Sequence, residues 1–280
     1  MLVPIKEMLA DASKRRYGLG MFDAINQEMV DGIIAAAEAE RAPVILATVK
    51  AFGNLLSMAD SMLYAIKKAS VPIALEVDHG TMEACFQGLA AGYNFVMYDG
   101  SMLPFDENAA NTRIIAEAAH AVGAGVEAEL GHVANAEVTY ENANQEDKEN
   151  IYTDPEEAVK FVEMTGVDCL AVSVGTLHGR YKSAPDLQFD LIRDLKQALN
   201  LPLVIHGSSG ITDEDVKKAV AAGVCKMNFF TDLADAAARR IAAVPDIAAL
   251  GFNKLMSAAR DAVKDCTIDK IRLLGASGKA

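Results

Sequence analysis

The chain has 280 residues and a formal net charge of −13, with 51% hydrophobic and 23% charged residues, enough apolar material for a large core. The acidic excess, with no block of basic residues, argues against a nucleic-acid or anionic-membrane surface but leaves room for a small anionic substrate in a locally positive site. No apolar run approaches the roughly 18 residues of a spanning helix, the start MLVPIKEMLADASKRRYG lacks a signal-peptide core, and Cys85, Cys169, Cys225 and Cys266 form no CxxC pair, so a cytoplasmic protein with reduced thiols is expected.

Short apolar runs alternate with amphipathic stretches along the whole chain. The predicted strands are YGLGMFDAI from Tyr17, PVILATV from Pro43, PIALEVD from Pro72 and FVMYDG from Phe95. They continue with GVEAEL from Gly125, CLAVSVG from Cys169, LPLVIHG from Leu201 and VCKMNFF from Val224. Helical patterns such as NQEMVDGIIAAAEAE, DENAANTRIIAEAAHAVG and TDEDVKKAVAAG lie between them; the last opens on acids and ends before Gly223, as a helix prefers. Continuously apolar strands alternating with helices imply a parallel sheet covered by helices. Eight such units suggest an α/β fold, a closed (β/α)₈ TIM barrel. An open doubly wound sheet is the alternative, but no G-x-G-x-x-G follows the first strand. The expected organisation is one barrel domain over 1–280, with a long polar loop at 132–154 and an extra C-terminal helix in an extension from about 246 to 280.

Barrel enzymes carry their sites at the C-terminal ends of the strands. The polar residues expected on that rim are Asp23 and Asn26, Asp78 and His79, Asp99 and Ser101, Glu129, His178, His206 and Asn228. The chain has five histidines, and three of them, His79, His178 and His206, sit in a His-Gly pair after an apolar run. Three neutral imidazoles on one rim are a good zinc set that leaves a position open for water or substrate. His120, in a helix, reads as structural; His132 opens the long loop. HGSSG, from His206, offers small residues and free backbone N–H groups at a helix start, where phosphate binds, and NFFTD, from Asn228, which opens the next helix, is a second candidate.

With those residues in place, the chain resembles the zinc-dependent class II fructose-bisphosphate and tagatose-bisphosphate aldolases. The resemblance runs from YGLGMFDAINQEMVDGIIAAAEAERAPVIL through DHGT, GYNFVMYDGSMLPFDEN and GVEAELG. It continues through YTDPEEAVKFVEMTGVDCLAVSVGTLHGRYK to LPLVIHGSSGI and CKMNFFTDL. It implies cleavage or condensation of a phosphorylated ketose, with dihydroxyacetone phosphate and an aldehyde such as glyceraldehyde 3-phosphate as the smaller partners. It implies Zn²⁺ on His79, His178 and His206, with Asp99 and Glu129 matching a second or displaced metal position. Asp78 would be the acid/base at the C4 hydroxyl, and Glu137, in the long loop, the acid that returns a proton to the three-carbon unit. Gly179, Lys182, Gly207, Ser208, Ser209, Asn228 and Thr231 match the contacts to substrate, and a monovalent cation, Na⁺ or K⁺, often accompanies the phosphate. A homodimer or homotetramer is implied, with no nucleic-acid or membrane partner.

Several positions depart from the family. Asp23 stands for a usual Asn, Val49 lies near a usual Ser or Thr, Met102 stands for a common His, and Phe230 is large for the phosphate loop. Ala134 and Asn135 replace two glycines, and Ser257 to Ala259 read SAA where RVG is usual. Glu76 replaces a His, and it shares a strand face with Asp78; such a second inward carboxylate either raises its neighbour's pKa or needs a cation such as Lys226. These changes leave the metal set intact and put the bisphosphate substrate in question. Three other readings remain at this point: an aldolase of the same family acting on a non-bisphosphate sugar or sugar acid phosphate, a Schiff-base aldolase using a barrel lysine such as Lys226, and a non-catalytic paralogue that binds a sugar phosphate or props up a partner subunit.

Overall fold

The computed structural model describes residues 1–49, 55–133, 152–181 and 185–280. Its strands are β1 (Leu19–Asp23), β2 (Val44–Val49), β3 (Ile73–Gly80), β4 (Phe95–Tyr98), β5 (Gly125–Leu130), β6 (Cys169–Val172), β7 (Leu203–Ile205) and β8 (Val224–Phe229). Each pairs in parallel with the next, and β8 pairs with β1, so the sheet closes into a barrel. The helices are α1 (Ile5–Arg15), α2 (Gln27–Glu40), α3 (Leu55–Lys68), α4 (Met82–Ala91), α5 (Phe105–Ala121) and α6 (Pro155–Thr165). They continue as α7 (Phe189–Ala198), α8 (Asp213–Ala222), α9 (Thr231–Ala242), the single turn α10 (Ile247–Leu250) and α11 (Phe252–Leu273). This is the expected (β/α)₈ TIM barrel, with α1 before it and a C-terminal helix after it.

Local chemistry explains where elements start. Thr81, Asp154 and Thr212 each accept a hydrogen bond from a backbone N–H in the first turn of the helix they precede. Asn26 does the same for α2, accepting from Met29 N at 3.0 Å. Its side chain is therefore a helix cap, which corrects its expected place among the rim groups. Both termini close the barrel. Val3 N donates to the Ile73 carbonyl at 3.0 Å, and Asn94 Nδ2 donates to the Val3 carbonyl at 2.8 Å, so the N-terminal segment lies across the strand starts. At the other end α11 packs on α2 at Gly32, where an added Cβ would lie 2.7 Å from the Arg260 carbonyl oxygen. The four cysteines are free, and three of them are buried, as expected.

The barrel interior is not uniformly apolar. Residues two apart on a strand share a face. Glu76 and Asp78 on β3, Glu127 and Glu129 on β5, and Lys226 and Asn228 on β8 thus form two stacked polar layers. The lower layer is sealed: Glu76, Glu127 and Lys226 all have 0% exposure. Lys226 Nζ donates to Glu76 Oε1 at 2.9 Å and to Glu127 Oε2 at 2.8 Å, and it sits 5.3 Å from the centre of the Phe95 ring. Burial opposes the charge on Lys226, but Glu127 and Glu76 outweigh it and raise the ammonium's pKa. Burial likewise opposes the charge on Glu127, yet Lys226 and His206 hold that carboxyl down at about 2. For Glu76 burial prevails, and its pKa stands well above the usual carboxylate range. The departure at Glu76 thus has its cation, on the facing strand.

Removing one partner of a buried ion array leaves the others uncompensated. Lys226→Met should destabilise the fold by about 3–5 kcal/mol. Adding Glu76→Met to that variant should restore part of the loss, because Glu127 keeps its His206 donor. Urea-unfolding midpoints of the single and double variants check this; a single variant as stable as the parent would contradict it.

Candidate active site

The upper layer opens at the C-terminal mouth. β3 ends in Asp78 and His79, neighbours that a regular strand would point to opposite faces. Here the β3–β4 register shifts between Val77 and Gly80, and His79 takes a left-handed backbone with φ 45°. Such a conformation is costly for a residue with a Cβ and persists where its surroundings over-determine it. The bulge turns both side chains into one cavity of about 520 Å³. His178 lies on the loop after β6, and His206 directly follows β7.

The three histidines meet at one point. His79 Nε2 lies 3.1 Å from His178 Nε2 and 3.0 Å from His206 Nδ1. Each ring's other nitrogen faces an oxygen. His79 Nδ1 is 2.7 Å from Asp99 Oδ2, His178 Nδ1 is 3.0 Å from the Val133 carbonyl, and His206 Nε2 is 2.8 Å from Glu127 Oε1. A carbonyl and an ionised carboxylate only accept, so His178 and His206 donate outward and turn lone pairs inward. Burial works against charge on Asp99, but His79 and Ser101 outweigh it and hold that carboxyl well below its usual range, so it too accepts. Three ring nitrogens then converge on one point, where a cation is favoured. Burial opposes a charge on His79, but Asp78, Asp99 and Glu129 raise its imidazole to about 10. Burial and the neighbouring His79 and His206 lower His178 to about 3. Three imidazoles with fixed tautomers and no thiolate fit zinc, and three protein ligands leave coordination positions open.

A second group overlaps the first: ligand atoms of His79, Asp99 and Glu129 lie within 4.8 Å of one another. Glu129 Oε1 accepts from Val133 N at 3.0 Å. Its Oε2 is buried 3.4 Å from His206 Nδ1 and has no hydrogen-bond donor. An orphaned buried carboxylate oxygen beside three imidazoles is a further sign of a cation position.

The cavity also brings together Asp23, Val49, His132, Gly179, Gly207, Ser209, Asn228, Phe230 and Thr231. Asn228 Nδ2 donates to Asp78 Oδ1 at 3.2 Å and so holds that carboxylate in place. Burial, and then the charge on Asp78, push the Asp23 carboxyl well above its usual range. Asp23 Oδ1 and Asn228 Oδ1 are buried without a partner. Ser209 Oγ accepts from Asp232 N at 3.2 Å, at the start of α9. Ser208 is different: its hydroxyl donates to the Ile205 carbonyl at 3.1 Å and shapes the turn. His132 Nδ1 lies 3.2 Å from Ser101 Oγ, at the mouth, whereas His120, in α5, pairs with Asp168, just before β6, at 3.0 Å. Glu137 and Lys182 lie outside the described residues, as does most of the 132–154 loop.

One residue under the site went unread in the sequence. Glu127 fixes the His206 tautomer, and its signal was its place two before Glu129 on the same strand face. Lys226 is no Schiff-base candidate: a nucleophilic amine must be neutral and reach the substrate, whereas this one is charged, sealed and held by two carboxylates. Among the described residues no helix is long and apolar enough to cross a membrane.

Comparison with known proteins agrees with this geometry. The model of the family described as fructose-bisphosphate aldolase class-II matches residues 3–279. The YdjI protein of Escherichia coli K12 is 39% identical, with both chains covered over 100% of their length. The crystal structure of the YdjI aldolase from that organism gives a TM-score of 0.89 at 37% identity, again over 100% of both chains. Fructose-bisphosphate aldolase of Geobacillus stearothermophilus is 37% identical, across 100% of this chain and 99% of the relative. A closed barrel with three converging histidines at its mouth, matched along its whole length in this way, belongs to the class II fructose-bisphosphate aldolase family, whose members are carbon–carbon lyases.

Proposed function

We propose that this chain is a zinc-dependent aldolase that cleaves a ketose phosphate between C3 and C4, or condenses its two halves, with dihydroxyacetone phosphate as the three-carbon partner. The observation that carries the reading is the inward set of nitrogens on His79, His178 and His206, each fixed by an outer oxygen acceptor. Zinc, when bound there, supplies a Lewis acid for the negative charge that develops on the three-carbon unit. The other steps fall to the chain. Asp78 accepts the C4 hydroxyl proton as the bond breaks, with Asn228 Nδ2 holding its Oδ1. Glu137 returns a proton to the three-carbon unit. Such acid/base help is worth about 10²–10⁴-fold each. The phosphate of the three-carbon unit belongs with Gly179, Lys182, Gly207, Ser209 and Thr231, beside the N-terminus of α9, where backbone N–H groups favour an anion.

The far end of the substrate is less suited to a second phosphate. Among the described residues lining the cavity there is no lysine or arginine, whereas Asp23, Asp78 and Asp99 are all present. A dianion beside Asp23 would push a carboxyl that burial and Asp78 already raise still further toward its neutral form. A neutral carboxyl then offers one donor where an arginine offers five. A substrate with a single phosphate, or with an altered tail, fits this end better than fructose 1,6-bisphosphate.

Three outcomes are expected. Removing metal with a chelator should abolish cleavage and added zinc should restore it, while His178→Ala should lose the metal itself; full turnover by a verified metal-free preparation would refute the zinc reading. Glu137→Ala should lower kcat by about 10²-fold or more with zinc content unchanged. Finally, kcat/KM for fructose or tagatose 1,6-bisphosphate should fall below that for ketose 1-phosphates; a bisphosphate value above about 10⁴ M⁻¹s⁻¹ would mean that Asp23 and Val49 are tolerated in an ordinary bisphosphate aldolase.

A further inference from the structure

The outer acceptors orient the imidazole rings, but they do not set the distance between the two loops that carry His178 and His206. We infer that Tyr181 is the positioning residue that does so. Its hydroxyl accepts from Leu177 N at 2.8 Å and donates to the Gly207 carbonyl at 2.7 Å. Leu177 immediately precedes His178, and Gly207 immediately follows His206. One oxygen therefore clamps the backbone beside two of the three histidines.

The contact beneath that clamp is close. A Cβ on Gly207 would lie 2.2 Å from the Leu177 carbonyl oxygen, 2.6 Å from its carbon and 3.2 Å from His178 N. Gly207 also has φ 65°, in the left-handed region, so the two loops meet backbone to backbone only because this residue is glycine. On its other side the Tyr181 ring packs on Gly210, whose added Cβ would be 3.0 Å from ring carbon Cδ2. The ring is thus seated by packing, and its hydroxyl bonds to both loops. The ring centres of His178 and His206 are 5.8 Å apart, the widest of the three histidine pairs, against 4.8 Å and 4.6 Å for those involving His79. That pair is the one the tyrosine ties.

The inference rests on the zinc reading above, and its test separates the two. Tyr181→Phe removes one oxygen and keeps the ring on Gly210. Zinc affinity of the metal-free protein is measured by competition with a chromogenic chelator, so no turnover is needed. The control is Tyr93→Phe, which loses a hydroxyl bonded to the Leu55 carbonyl at 2.9 Å, away from the histidines. Tyr181→Phe should weaken zinc binding by about tenfold or more, the usual cost of losing a group that holds a metal ligand. Tyr93→Phe should lower thermal stability and leave zinc affinity unchanged. Equal zinc affinity in Tyr181→Phe and the parent overturns the positioning role. So does an equal loss in both variants, which would mark a general effect of loosening the fold. A parent protein that binds no zinc overturns the reading beneath, and the inference with it.

Discussion

A buried ammonium with two carboxylate neighbours organises this barrel. Lys226 lies on the strand that closes the sheet against β1, and it reaches Glu76 on β3 and Glu127 on β5. Such a group is costly to bury and far costlier to leave alone. Once it is in place, Glu127 is held ionised, His206 must donate its Nε2 proton downward, and its Nδ1 must face the cavity. The orientation of one metal-type ligand is thus decided one layer below it, by charges that no substrate touches. Glu76 extends the array by a second carboxylate.

Above that floor, each imidazole of the cluster has an outer oxygen partner. The side chain of His79 is fixed by Asp99 and by its bulged backbone, that of His178 by the Val133 carbonyl, and that of His206 by Glu127. Such anchoring is what a site needs if three imidazoles are to stay close to one another. At His79 the strained backbone comes with the β3–β4 register shift and the bond to Asp99.

Much of this architecture was legible before any coordinates. The eight apolar runs became eight strands, with GVEAEL matching β5 residue for residue, because continuous burial leaves little freedom in where such a strand sits. The histidines stood out because each breaks an apolar run just before a glycine. Other features had no comparable mark. Asn26 is as polar as Asp23 and three residues away, and only the turn geometry makes one a helix cap and the other a cavity group. The bulge at His79 leaves no signature, since adjacent Asp and His look the same on a straight strand. Tyr181 reads as a loop aromatic until its hydroxyl is seen between two backbones that are distant in sequence. Pairings of this kind depend on three-dimensional neighbours, which local patterns do not encode.

The sealed lower layer makes the site a blind well. Glu76, Glu127 and Lys226 have no contact with solvent, and the N-terminal segment lies across the strand starts beneath them. Among the described residues, the cavity above that floor is lined by groups such as His132 and Phe230. Salt ions cannot enter between the floor's charges, so the hold of Lys226 on Glu127, and through it the set of His206, is little screened as ionic strength rises.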